Sequence, residues 1–201
     1  MVAEYQAVLD YWFGELEGDV TRNNQNALWF QGGAEVDQYI TDTFLPLVSR
    51  AGRGELAHWA KEPKGALALI ILLDQFSRNI YRGLSAAFRN DALALAICKR
   101  GLASNQDQFL TPIERVFFYL PLEHSEMLDD QEECVFRFEQ LRQQVADPHR
   151  AMFDGFYDYA LKHFEVVKQF GRFPHRNAAH GRLSTTEELS WLNEGGQRFG
   201  Q

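Results

Sequence analysis

Apolar side chains recur at three- and four-residue steps along almost the whole chain, and few breakers interrupt them. With six prolines and fifteen glycines in 201 residues, little divides the chain into short strands. Val8, Leu9, Trp12, Phe13 and Leu16 form one helical stripe, followed by Gly18. Val36, Ile40, Phe44, Leu47 and Val48 form a second, ended by Gly52 and Gly54. Pro46 inside it predicts a kink or a late break, because proline removes a backbone donor. Leu56 and Trp59 fit a connecting turn that stops at Pro63. The run Ala66–Leu73 is apolar on every side, so the helix it opens, reaching to Arg82, is expected to be the central buried one.

Local start and stop signals mark the remaining helices. Asp91 to Ser104 brackets one with Leu93, Ile97 and Leu102 inside it. Thr111-Pro112-Ile113-Glu114 reads as a capping box with proline at the first helical position. Pro121 is expected to interrupt that helix, with the next resuming around Ser125. Asp147-Pro148 opens another, whose buried side runs from Met152 and Phe153 to Phe170 and which Gly171 ends. Residues 171–183 read as a polar loop. Ser184 to Glu188 offers overlapping capping boxes for a last short helix, finished by Gly195-Gly196. The expectation is a single all-α domain over 1–201, of eight or nine helices and no strand, in antiparallel helical hairpins.

An apolar share of 45% with 16 Phe supplies a core and argues against disorder. The net charge of −8 disfavours nucleic acid as a partner of the surface as a whole. The N-terminus lacks the basic start and apolar core of a signal peptide, and eight residues is the longest apolar run. No membrane association and a cytoplasmic location are therefore expected. Cys98 and Cys134 each lie in a helical stretch and read as buried free thiols.

Three polar segments stand out. In the first, Asp74, Arg78 and Arg82 are spaced by four and share a helix face, flanked by Gln75 and Asn79. They either form a ladder tying the helix to its neighbours or line a polar cavity. In the second, Tyr119, Glu123, His124 and Glu126 gather around Pro121, with Arg115 one turn upstream. His124 between two carboxylates is expected to be more basic than free imidazole. In the third, residues 166–186 hold four Lys/Arg and two His with no acid, in a chain that is otherwise acidic. Arg172, Arg176 and Arg182, with His175 and Asn177, could cradle an anion or neutralise the acids of the second segment.

These segments, LALIILLDQFSRNIYRG, ERVFFYLPLEHSE and FGRFPHRNAAHGRLSTTEE, resemble the bacterial family catalogued as domain of unknown function 924. The resemblance runs from Val8 to Gly195. It implies an all-helical fold grouped with tetratricopeptide-like right-handed arrays, although no 34-residue repeat is visible in the chain. It carries the family's polar positions onto Asp74, Gln75, Arg78, Asn79 and Arg82, then Glu114, Arg115, His124, Ser125 and Glu126. It continues through Gly171, Arg172, Pro174, His175, Arg176 and Asn177 to Gly181, Arg182 and Ser184. Ser77 departs from the proline of many relatives. The family brings no established activity.

Three functions compete. The first is a pocket for a small anionic molecule, a carboxylate or phosphate. Asp74, Gln75, Arg78, Asn79, Arg82, Arg115, Arg172, Arg176, Asn177 and Arg182 would bind it, and His124, His175 and Glu126 would perform acid–base chemistry. The second is an interaction module clamping a peptide carboxylate in a groove. The third is a metal-dependent hydrolase drawing on His124, Glu126, His163, His175 or His180. It ranks last because no HExxH is present, and no metal or cofactor is expected. Oligomeric state is not legible.

Overall fold

Nine α-helices, one pair of two-residue strands and several short 3-10 and π-helical turns make up the regular structure of residues 3–199 in the computed structural model. Helix α1 spans Gln6–Phe13 and ends at Gly14. Strands β1 (Leu16–Glu17) and β2 (Val20–Thr21) pair antiparallel, a small hairpin that the periodicity of the sequence does not disclose. Helix α2 spans Ala34–Gly52 and runs through Pro46 without a break. Helix α3 (Pro63–Ile70) passes into a widened π-helical turn, Ile71–Phe76, and then into α4 (Ser77–Ile80). Helices α5 (Asp91–Ala103), α6 (Pro112–Glu123), α7 (Leu128–Gln144), α8 (Arg150–Phe170) and α9 (Thr186–Asn193) follow. Among the described residues no helix is long and apolar enough to cross a membrane.

The all-round apolar stretch behaves as its composition dictates. Every residue from Gly65 to Ser77 is buried, and α6 is its counterpart, buried from Val116 to Glu123. Aromatic side chains lock the elements together. Trp12 meets Phe76 and Phe117 edge-on at 5.4 and 5.6 Å between centroids, and the Trp29 indole N–H donates to the Trp12 carbonyl at 2.8 Å. Each such side chain contributes about 1.5–3 kcal/mol by leaving water. Cys98 and Cys134 are buried free thiols. A smaller apolar cluster of Val166, Val167 and Phe173, with Phe170 and Trp191 against it, anchors the C-terminal loop.

The helix boundaries obey local chemistry in most places. The Glu114 carboxylate accepts from the Thr111 N–H at 2.9 Å and pairs with Lys64, closing the start of α6. Thr185 and Glu188 form the reciprocal box at α9, and Gly171 ends α8 in the left-handed region at φ 69°. Pro121 is the exception. It sits in the last turn of α6, where it removes only the bond to the Phe117 carbonyl, and the chain leaves the helix at His124 instead.

Candidate functional site

Asp74 is carried to the interior by the π turn. A π turn widens the helix by one residue, and such turns are frequent where a side chain must be re-aimed toward a site. Here it ends at Ser77, whose hydroxyl donates to the Leu72 carbonyl five residues back. Asp74 is fully buried. It lies 2.7 Å from His124 Nδ1 and 3.1 Å from Arg78 Nη1, and it accepts from Gln75 Nε2 at 2.6 Å. Burial alone would raise its pKa. Arg78 and His124, with the Gln75 hydrogen bond, outweigh burial and hold the carboxyl well below the usual carboxylate range. Arg78 places both terminal nitrogens on Asp91, at 2.9 and 3.0 Å. Burial disfavours its charge, but Asp74 and Asp91 keep it firmly protonated.

His124 caps α6, and the turn after it is held by the chain itself. Gln131 Nε2 donates to the carbonyls of Glu123 and Ser125 at 2.6 and 2.7 Å, and Ser125 Oγ donates to Asp130 at 2.7 Å. The backbone freed by the helix break is thus satisfied by side chains. Contrary to the sequence-based expectation, the His124 pKa is lowered. Burial is the largest cause and Arg78 adds to it, together exceeding the pull of Asp74. Since ionised Asp74 can only accept, the His124 proton sits on Nδ1 and Nε2 carries the lone pair.

Beside this dyad lie two groups that the sequence offered singly, in different segments, and that packing brings together. Glu123 is buried, and burial together with Asp74 raises its pKa to about 8. His163, on the buried face of α8, places Nδ1 2.9 Å from the Tyr159 carbonyl and 3.3 Å from Glu123 Oε1. Burial drives its pKa well below that of free imidazole. Its position between Ala160 and Val167 on the apolar stripe of α8 was the available signal. One ligating atom from each of Glu123, His124 and His163 lies within 4.8 Å of the others.

The basic loop closes the cluster from the C-terminal side. Arg182 grips Glu126 with two bonds of 2.5 and 2.9 Å, and Glu126 also accepts from the Phe173 N–H at 2.8 Å. Burial would raise the Glu126 pKa, but these bonds lower it. Arg172 grips Glu188 at 2.6 and 2.8 Å, and Asn177 bridges Ser184 and Glu188. His175 packs its ring against Phe173 and Phe199.

Arg176 differs from the other arginines. It is 3% exposed, and its Nη1 donates to the His124 carbonyl at 2.9 Å. Its guanidinium carbon lies 4.5 Å from the centre of the Phe173 ring and 5.0 Å from that of Phe88. Its closest carboxylate oxygen, on Asp91, is 3.8 Å away. Nε and Nη2 are buried and make no hydrogen bond among the described residues. Burial and the neighbouring Arg78 lower its pKa to about 10.

The polar positions therefore divide. Asp74, Gln75, Arg78, His124 and Arg176 converge, with Asn177, Arg182 and Glu126 forming the adjoining wall. Arg82 and Asn79 instead hold Asp37, at 2.7 to 2.9 Å, away from His124. Arg115 lines a separate cleft of about 210 Å³ with Gln108, Tyr119 and Arg137. Tyr119 belongs to that side too, donating to Asp107 at 2.8 Å.

The chain is similar in sequence to a protein family and in fold to a solved structure. The family model described as "Bacterial protein of unknown function (DUF924)" matches residues 8–196. A solved structure of a protein of unknown function, ATU0120 from Agrobacterium tumefaciens, has 31% sequence identity and a TM-score of 0.79. The match covers 95% of this chain and 97% of that chain. No curated protein matches.

Proposed function

The chain belongs to the bacterial family of proteins of unknown function DUF924, and we propose, from its site alone, that it binds a small carboxylate or phosphate on Arg176, with His124 Nε2 as the proton-transfer group beside it. One observation carries the reading. In Arg82 and Arg172, Nε and Nη2 form the edge that grips a carboxylate two-pronged. The same edge of Arg176 has no partner among the described residues although it is buried. A buried guanidinium lacking hydrogen bonds is costly, and an anion with two oxygens is the chemistry that would satisfy it. The neutral imidazole of His124, oriented by Asp74, is poised to accept a proton from such a ligand.

The depth of Arg176 weighs against a peptide laid in an open groove, because the cation sits beneath Phe88 and Phe173. The remaining arginines of the cluster act as its frame, each already matched to a carboxylate.

Thermal denaturation with a panel of small carboxylates and phosphate esters tests the proposal. At least one is expected to raise the melting temperature of the wild type in a saturable way and to leave Arg176→Met unmoved. A panel without effect on the wild type, or an equal shift in both proteins, overturns it.

A further inference from the structure

We infer that Glu123, His124 and His163 form a binding site for a divalent transition-metal ion. Two neighbouring residues at the end of α6 and one from the middle of α8 bring a carboxylate and two imidazoles together in the interior. Their ligating atoms lie within 4.8 Å of one another. Bonds of about 2.0–2.2 Å to one ion place donors about 3–4 Å apart, so side-chain adjustment of under about 1 Å completes the set.

Orientation and burial point the same way. Imidazoles that bind metals usually donate their other N–H to a carboxylate or carbonyl, which fixes the ring and its tautomer. Asp74 does this for His124 at 2.7 Å, leaving Nε2 as the donor to an ion. The His163 ring is held by the Tyr159 carbonyl and by Phe199, stacked 3.6 Å away between centroids. Glu123 is 2% exposed, and its Oε1 lies 3.3 Å from His163 Nδ1. A carboxylate buried this deeply is stable in its charged form only beside positive charge, which a cation held with the two imidazoles supplies.

Two nitrogens and one oxygen suit Zn²⁺, Fe²⁺, Mn²⁺ or Co²⁺ better than Ca²⁺ or Mg²⁺, which prefer all-oxygen shells. Three protein ligands leave a coordination position open, as in catalytic centres. The ligand set differs from the one the sequence suggested. Glu126 is occupied by Arg182, and His180 packs against Phe88.

The inference does not depend on an anion at Arg176, but an ion on His124 Nε2 takes the lone pair that would otherwise accept a proton, so His124 serves one role or the other; metal binding and anion binding are read separately. Untagged protein, stripped with chelator and titrated with Co²⁺ and Zn²⁺, is expected to bind one equivalent. Co²⁺ should give the visible absorption of an ion with imidazole ligands. Arg176→Met should retain the metal. His163→Ala and Glu123→Gln should lose it, and Asp74→Asn should weaken it about 10- to 100-fold. Substoichiometric binding by the wild type overturns the inference, as does unchanged affinity in a folded His163→Ala or Glu123→Gln protein. Should neither variant fold, X-ray absorption of the metal-loaded wild type decides, and fewer than two imidazole nitrogens on the ion overturns it.

Discussion

Arg176 Nη1 and the main-chain carbonyl of His124 are joined by a bond of 2.9 Å, which ties the basic loop directly to the helix break that carries the imidazole. That single bond is the only one the guanidinium makes among the described residues, so most of its desolvation is not offset. Replacing a buried, poorly partnered ion by an apolar group of similar length is often neutral or stabilising. Arg176→Met is therefore expected to match or exceed the wild type in urea unfolding. Arg182→Met removes two charged bonds to Glu126 and should cost about 1–3 kcal/mol. A loss above about 1 kcal/mol for Arg176→Met would mean that the residue holds the fold rather than a ligand.

Asp74 sits where three partners converge, and of these only Arg78 has a second carboxylate, Asp91. Asp74→Asn leaves Arg78 with Asp91 alone and removes the negative charge facing His124. Removing one member of a buried charge pair typically costs about 3–5 kcal/mol, and a loss in that range is expected from chemical denaturation. The imidazole should also lose its fixed tautomer. Two-dimensional ¹H–¹⁵N spectra of the histidine rings are expected to show His124 protonated on Nδ1 in the wild type and mixed in the variant. An unchanged pattern would show that Asp74 does not orient the ring.

Much of this arrangement was legible before the fold was known, for identifiable reasons. Capping chemistry is local, so Thr111, Gly171 and Thr185 announce helix ends from neighbouring residues alone. The apolar run Ala66–Leu73 can only be an interior helix, and Asp74, Gln75 and Arg78 follow it inward. Pairing between distant segments is a property of packing and leaves no trace in spacing. Asp37 takes Arg82 and Asn79 out of the site across more than forty residues. His163 looks like one more member of an apolar stripe until Glu123 is placed opposite it. The basicity that adjacent carboxylates imply for His124 does not hold, because burial and Arg78 act on the ring from outside its own stretch of sequence.

Acid should loosen the C-terminal loop through one carboxylate in particular. The Glu188 pKa is lowered to about 2 from an ordinary 4.5, chiefly by the Arg172 hydrogen bonds. A carboxylate depressed in the folded state contributes stability above its unfolded pKa, and that contribution disappears as pH falls through the folded value. Wild-type stability should thus decline between about pH 4.5 and 2 more steeply than that of Glu188→Gln, which starts lower at neutral pH and lacks this titration. Urea unfolding at stepped pH measures both slopes, and parallel curves would remove Glu188 from the account.

Two glycines set how closely the helices under the site can approach. A Cβ at Gly101 of α5 would stand 2.5 Å from Phe118 Cζ on α6, and one at Gly65 of α3 would collide with the carbonyl oxygen of Trp59. The first obstacle is a ring confined in the core, and the second is backbone, so neither can yield without moving its element. Overpacking of this kind costs about 1–3 kcal/mol, and Gly65→Ala is expected at the upper end because the carbonyl belongs to the turn that launches α3. Displacing α3 also shifts the π turn that aims Asp74, whereas Gly101 acts on α6 through Phe118. Gly65→Ala should accordingly disturb the His124 ring resonances as well as stability. A variant as stable as the wild type, with those resonances in place, would show that the α3 contact has slack that the packing does not suggest.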